Sequence, residues 1–271
     1  MIKNLKKPFL IAEAGINHNG NVNHAIKMVD LAKKSGADAI KFQTYITKKR
    51  VKVDNPVYKI LKKCELSYEH FEKIKNYYDK KKIIFFSTPF DIESVNFLEK
   101  LKVKLYKIAS FDISNYQLLK RIILTKKPTI VSTGMAKLIE IKKTYRLFKK
   151  SNVELAILHC ISSYPNEDET SYLSNIHFLK KNFNCTIGFS DHTNDIKTSI
   201  YSALLGAKII EKHFMISKKN NCVDKPVSID PFQFKKMKIE IDKLTKIISK
   251  PKFGIRPEEK KALVFKRNKI L

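Results

Sequence analysis

The feature that most restricts the fold is an alternation repeated along nearly the whole chain. A short apolar run is followed by a turn, then by an amphipathic stretch, then by another apolar run. The apolar runs cover residues 9–14, 39–45, 83–88, 105–110, 129–133, 155–161, 185–192 and 208–214, and each reads as a buried strand. Apolar positions at helical spacing follow them. Asn23 is expected to cap a helix closed by Gly36, and Ser67 one running to about residue 82. Further helices are expected over 92–101, 116–124, 138–150, 175–183, 196–205 and 231–248, and residues 46–66 form a longer polar insertion. Strands alternating with helices make βαβ units and a parallel sheet. Eight such units in roughly 250 residues match a closed (β/α)8 TIM barrel. A doubly wound open sheet would carry GxGxxG after its first strand, but the chain has Ala14-Gly15-Ile16-Asn17-His18 there. The expectation is an α/β protein with one barrel domain over residues 1–250 and a tail over 251–271.

Composition narrows the function. The formal charge of +28 would fit a nucleic-acid binder. However, the basic residues are almost all lysine, spread over every expected helix, with arginine only at positions 50, 121, 146, 256 and 267. Lysine, asparagine and isoleucine are enriched together, as in a protein from an AT-rich genome. These are solvated faces, and no nucleic-acid partner is expected; the field they create would steer a small anionic substrate. No apolar run is long enough to span a bilayer, and residues 1–7 are polar with no apolar h-region of a signal peptide after them. The expectation is a cytoplasmic protein with no membrane association. Cys64, Cys160, Cys185 and Cys222 form no CxxC pair, so neither a disulfide framework nor a zinc ribbon is indicated.

In a (β/α)8 barrel the chemistry sits at the C-terminal ends of the strands. Those ends carry Glu13; Lys41 and Gln43; Ser87 and Thr88; Lys107 and Ser110; Ser132 and Thr133; His159 and Ser162; Ser190 and His192; Glu211 and His213. Buried parallel strands are normally apolar throughout, so a rim of this kind marks an active site. Alternate residues share a face, which pairs Lys41 with Gln43, Ser190 with His192 and Glu211 with His213. His192 and His213 end neighbouring strands, where two neutral imidazoles can share a divalent transition metal. His18, in a turn, could equally bind substrate or cap a helix. Cys160 is expected to point away from the side of His159 and to fill core, and His24, His70 and His177 to lie on helix surfaces. Lys41 and Lys107 must be paired or functional, because an unpaired buried ammonium is costly. With Thr88, Ser110, Ser132 and Ser190 they could form a phosphate or carboxylate cradle. They could instead pair with Glu13 or Glu211, or one could be a Schiff-base aldolase lysine. A barrel that only binds an anionic polymer is the non-catalytic alternative.

Seven motifs in register extend this reading. They are Ile11-Ala12-Glu13-Ala14-Gly15-Ile16-Asn17-His18-Asn19-Gly20, Lys41-Phe42-Gln43-Thr44, Ser87-Thr88-Pro89-Phe90-Asp91, Tyr106-Lys107-Ile108-Ala109-Ser110, Ser132-Thr133-Gly134-Met135, Gly188-Phe189-Ser190-Asp191-His192-Thr193 and Glu211-Lys212-His213-Phe214. Together they resemble the sialic acid (N-acetylneuraminate) synthase family over residues 9–250. The resemblance implies condensation of phosphoenolpyruvate with an N-acylated hexosamine such as N-acetylmannosamine. The products are a nine-carbon 2-keto-3-deoxy (nonulosonic) acid and phosphate, released by C–O cleavage. It implies a divalent metal on His192 and His213, typically Mn²⁺, with Mg²⁺ or Co²⁺ as substitutes, polarising the sugar aldehyde. Carried over by motif, Lys41, Thr88, Lys107, Ser110, Ser132 and Ser190 would hold phosphoenolpyruvate. Gln43, Tyr164, Glu211, Asp224 and, in the Phe111-Asp112 pair, Asp112 would face the sugar. Glu13, Lys41, Lys107 and Glu211 would be catalytic, with Glu13 handling the water or a proton.

The departures concern the acceptor. Phe111-Asp112 stands where sialic acid members usually have Gly-Glu, so residues 106–113 look closest to pseudaminic acid synthases, as does Val223-Asp224. Leu158-His159-Cys160 and Gly15-Ile16-Asn17 resemble the sialic or legionaminic branch, and Ser162 stands where an Asn often contacts phosphoenolpyruvate. The pseudaminic and legionaminic precursors therefore stay open as acceptors. Members usually continue into an antifreeze-like domain that swaps across a homodimer and supplies an Arg to the partner's sugar site. Here residues 251–271 resemble the start of the linker to it, so the expectation is a domain that is absent or a separate protein, and a homodimer.

Overall fold

The computed structural model describes residues 1–79, 81–248 and 251–267. Eight parallel strands close into a barrel in sequence order: β1 Phe9–Gly15, β2 Ala39–Thr44, β3 Ile84–Pro89, β4 Tyr106–Ile108, β5 Thr129–Ser132, β6 Leu155–Cys160, β7 Thr186–Asp191 and β8 Ile209–His213. The helices are α1 Val22–Lys34, α2 Thr47–Arg50, α3 Tyr58–Cys64, α4 Tyr68–Asp79, α5 Ile92–Lys100, α6 Tyr116–Leu124, α7 Leu138–Lys150, α8 Ser174–Asn182, α9 Lys197–Leu204 and α10 Pro231–Ile247. The (β/α)8 expectation holds. Among the described residues no helix is long and apolar enough to cross a membrane.

Period-two alternation builds two apolar layers. Outward residues such as Phe42, Phe85, Ile108, Val131 and Phe189 pack under the helices with Phe71, Leu98 and Ile122. Inward residues Phe9, Ile11, Ala39, Phe86, Leu105, Ile130, Ala156, Leu158 and Ile209 fill the barrel, and Ile2 from the N-terminal segment joins them. Continuing two residues along the same inward face turns apolar into polar: Ile11 to Glu13, Ala39 to Lys41, Phe86 to Thr88, Leu105 to Lys107, Ile130 to Ser132, Ile209 to Glu211. The lower barrel is thus hydrophobic core and the upper layer is polar.

Two local expectations are corrected. The first helix is capped by Asn21, not Asn23: the Asn21 side chain accepts from the backbone N–H groups of Asn23 and His24, so Asn23 lies inside the first turn. Residues 46–66 also hold α2 and α3, two helices too short for a 3.6-residue period to show. Ser67 does cap α4, accepting from His70 N at 3.2 Å.

Candidate active site

A cavity of about 210 Å³ opens at the C-terminal ends of the strands, lined by residues of all eight. Glu13, Lys41, Gln43, Thr88, Lys107, Ser110, Ser132, Tyr164, Ser190, His192, Glu211, His213 and Asp224 all face it. Asp112 does not line it; it sits in a 3-10 turn accepting from the Asn115 side chain at 3.0 Å, and its neighbour Phe111 is at the cavity wall.

The floor is a lattice of buried charge. Lys41 Nζ lies 2.9 Å from Glu13 Oε2 and 3.7 Å from Glu211 Oε2, and donates to Thr88 Oγ1 at 3.0 Å. Lys107 Nζ lies 3.3 Å from Glu211 Oε1, which also accepts from Ser190 Oγ at 2.9 Å. Strand register sets this up, since Glu13 stands beside Lys41 on one side and His213 on the other, and Ser190 beside Glu211. Burial raises the Glu13 carboxyl above its ordinary value, with Lys41 opposing. Burial acts the same way on Glu211, but Lys107 and Lys41 outweigh it and hold that carboxyl at about 2. Two carboxyls driven apart in this way divide into a proton carrier and a fixed anion. Burial lowers the Lys107 ammonium, whereas for Lys41 the two glutamates overcome burial and raise it. The Ser132 hydroxyl is buried without a protein partner, and a buried polar atom of that kind needs a ligand or water.

Glycine shapes the wall at two points. A methyl group on Gly134 would come within 2.3 Å of Ser162 Oγ and 2.8 Å of Cys160 Sγ, and Gly134 N donates to Ser110 Oγ at 3.0 Å. Gly15, at φ +52°, brings its backbone so close to Asp224 that a methyl would stand 3.0 Å from Oδ2. The Asn17 side chain holds this corner by donating to Phe214 O and Ser228 Oγ while accepting from Asp224 N at 2.9 Å.

His192 and His213 lie with ring centroids 5.5 Å apart. His192 Nδ1 donates to Ile161 O at 2.6 Å, which fixes the tautomer and leaves Nε2 as a lone-pair donor, 3.0 Å from Tyr164 Oη. Burial, with His213 adding, holds the His192 imidazole down at about 4, so it is neutral at pH 7. His213 Nδ1 is 3.3 Å from Asp224 Oδ2, off the line of a hydrogen bond, and the nitrogen is buried without another partner. A carboxylate beside Nδ1 orients the ring and turns Nε2 toward the cavity. Two imidazole nitrogens on neighbouring strand ends fit a divalent transition ion. Among the described residues no group of three or more His, Cys, Asp or Glu side chains is arranged to hold a metal. An ion on this pair would therefore complete its shell with water or substrate, as an open catalytic site requires.

Three assignments change. His159 faces away from the cavity: its Nε2 donates to Ser171 O at 2.7 Å and its ring stacks on Phe189. Cys160 faces in, with Sγ 3.1 Å from Ser110 Oγ. The parity of β6 decides this, because Leu158 is barrel core and Cys160 pairs with Ser190. His18 neither lines the cavity nor caps a helix; it is buried in its turn, and Nδ1 accepts from Gly20 N at 3.1 Å. Arg50, to which no motif assigns a site role, lines the cavity. Its signal was its rarity, an arginine in a lysine-rich chain shortly after the Lys41-Phe42-Gln43-Thr44 motif.

Buried neutral, His18 is held at about 4 by desolvation. The unfolded chain then binds the extra proton, so this stabilisation is complete above about pH 6.5 and is lost as pH falls toward 4. Thermal melts should show stability declining from about pH 7 to about pH 5, with a slope that flattens in His18→Gln. An unchanged slope in that variant would count against a neutral His18.

Fold and rim together define a barrel site in which a floor of buried lysines and glutamates adjoins a pair of histidines. The chain belongs to the NeuB family, which it matches over residues 28–252. An uncharacterized protein, MJ1065, of Methanocaldococcus jannaschii is 40% identical over 97% of this chain and 78% of its own length. A pseudaminic acid synthase of Campylobacter jejuni is 38% identical over 86% of this chain and 72% of its own. The crystal structure of an N-acetylneuraminic acid (sialic acid) synthetase from Leptospira borgpetersenii superposes with a TM-score of 0.91 at 35% identity, over 96% of this chain and 92% of that one.

Proposed function

We propose that this protein is a nonulosonic acid synthase that condenses phosphoenolpyruvate with the open-chain form of an N-acylated hexosamine. The observation that carries the reading is the meeting of Lys41, Lys107 and the unpartnered Ser132 hydroxyl beside His192 and His213. Family membership supports it. Lys41, Lys107, Thr88, Ser110, Ser132 and Ser190 hold the phosphate and carboxylate of phosphoenolpyruvate through charge-assisted hydrogen bonds. A divalent cation, Mn²⁺ with Mg²⁺ or Co²⁺ as substitutes, held by His192 and His213 would polarise the sugar aldehyde oxygen. Carbon 3 of phosphoenolpyruvate attacks the aldehyde carbon, water adds at carbon 2, and phosphate leaves by C–O cleavage. Glu13, whose carboxyl is raised by burial, carries the proton to or from that water. Glu211 stays anionic, raises the Lys41 ammonium together with Glu13, and opposes the lowering of Lys107 by burial. Gln43, Tyr164 and Asp224, above the lysines, face the sugar.

The test offers phosphoenolpyruvate and Mn²⁺ with N-acetylmannosamine, the pseudaminic precursor or the legionaminic precursor. Phosphate release and product mass are recorded for each. One of these hexosamines is expected to give stoichiometric phosphate and the mass of a nine-carbon 2-keto-3-deoxy acid. Silence with all three would sink the synthase reading. The lowered ammonium of Lys107 also supports a Schiff-base aldolase. Borohydride trapping of substrate on Lys107, with EDTA harmless, would favour that chemistry instead.

A further inference from the structure

Arg50 ends α2 and leans over the cavity. Its guanidinium carbon is 3.7 Å from the centroid of the Phe90 ring and 4.8 Å from that of Tyr45. Nη1 donates to Gln43 Oε1 at 3.0 Å. The ion pairs of the site use Lys41, Lys107 and His213, and among the described residues no ion pair includes Arg50. A guanidinium carries five N–H donors in a rigid fork. Most of this fork is left for something other than a carboxylate of the protein. The two rings fix its plane. The short helix beneath is itself pinned: Thr47 N donates to Glu65 Oε2 at 2.9 Å, Ile46 N donates to Asp91 Oδ2 at 3.3 Å, and Lys49 pairs with Glu93. The donor is therefore held in place before any ligand arrives.

Position says which reactant it meets. Gln43 lies two residues beyond Lys41 on the inward face of β2, opposite Thr88, so Arg50 stands above the lysine layer at the rim. Charge says what kind of group it meets. The cavity cations Lys41, Lys107 and Arg50 are already matched by Glu13, Glu211 and Asp224. The first substrate adds a phosphate and a carboxylate on the floor. A second anion at Arg50 would lie within the field of Asp112 and Asp224, both of which bear on the guanidinium. A carbonyl oxygen accepts N–H donors without adding charge. Ile16 and Phe90 line the cavity near Arg50, an apolar surface that an acyl methyl can cover.

We propose that Arg50 is a specificity-determining residue that binds the carbonyl oxygen of the acceptor's N-acyl group, with the acyl methyl against Ile16 and Phe90. This rests on the synthase reading above. Arg50→Met keeps the stem and removes the fork; Arg50→Lys keeps a cation over the rings and serves if the Met variant does not fold. Steady-state kinetics would compare the turned-over N-acyl hexosamine with the same sugar lacking the acyl group. Calorimetry would titrate the borohydride-reduced, open-chain alcohol of N-acetylmannosamine, and of the turned-over hexosamine, into enzyme loaded with phosphoenolpyruvate. In either variant KM for the N-acyl sugar should rise, and preference for it over the unacylated sugar should fall, by about 10- to 100-fold. The reduced alcohol should weaken in parallel, while kcat and the KM for phosphoenolpyruvate stay within about twofold. An active wild type with variants unchanged in acyl preference and alcohol binding, or weakened toward phosphoenolpyruvate instead, overturns the Arg50 assignment alone. A wild type that neither turns over nor binds any of these sugars overturns the synthase reading and this assignment with it.

Discussion

Alanine at either His192 or His213 should abolish phosphoenolpyruvate-dependent phosphate release. The expectation follows from how few donors the site offers. Among the described residues no third His, Cys, Asp or Glu completes a metal cage around the pair, so removing one imidazole leaves a single protein nitrogen. Loss of a group that merely supports a ligand typically weakens metal binding by about 10- to 100-fold, and loss of the ligand itself should exceed that. The His192 ring cannot be replaced in place, because Tyr164 stacks on it at 4.2 Å and Ile161 O accepts a hydrogen bond from its Nδ1–H. Two measurements separate ligand loss from misfolding. The electron paramagnetic resonance signal of free Mn²⁺ should vanish on adding wild type and persist with either variant. His177→Ala, on the exposed face of α8, should behave as wild type in both assays. Phosphate release that survives in His192→Ala or His213→Ala, or in EDTA-treated wild type, would remove the pair from the chemistry.

Most of the upper barrel was legible because two periodicities coincide. Eight apolar runs set the strands, and period-two alternation then assigned Lys41 with Gln43, Ser190 with His192, and Glu211 with His213 to the inward face, where they lie. On β6 the same rule runs against the residue types. A histidine attracts functional interpretation and a cysteine beside it reads as filler, yet Leu158 is barrel core, and that fixes Cys160 inward and His159 outward. Arg50 escaped for a different reason. It sits on a four-residue helix whose place is set by Glu65 and Glu93 in other segments, and no local pattern reports contacts of that range. Asn17 shows the limit of motif reading: the motif was visible, but its three hydrogen bonds to Phe214, Ser228 and Asp224 join positions about 200 residues apart.

A second buried ion pair, with no mark of its own in the sequence, lies next to the two histidines in the chain. Asp191 and Lys212 immediately precede His192 and follow Glu211, so alternation turns them outward, between the barrel and α9. Both side chains are fully buried, with Lys212 Nζ 3.1 Å from Asp191 Oδ1. Every oxygen of Asp191 is satisfied: Oδ1 accepts from the N–H and hydroxyl of Thr193 at 2.8 Å, and Oδ2 from Thr198 Oγ1 and Ser199 Oγ. Lys212 Nζ donates in turn to Thr193 O at 2.6 Å. Removing one partner of such a pair strands a buried charge and costs about 3–5 kcal/mol. Lys212→Met or Asp191→Leu should therefore lower the melting temperature on the order of 10 °C. Replacing both with apolar side chains removes the stranded charge, and the double variant should recover most of that loss. Metal affinity should not recover with it. The ammonium of Lys212 holds the carbonyl of the residue next to His192, and no apolar side chain can do so. The double variant should melt near wild type yet bind Mn²⁺ about 10- to 100-fold more weakly. If it regained both, the pair would be packing alone; if Lys212→Met melted within about 2 °C of wild type, the pair would lack the burial that makes it matter.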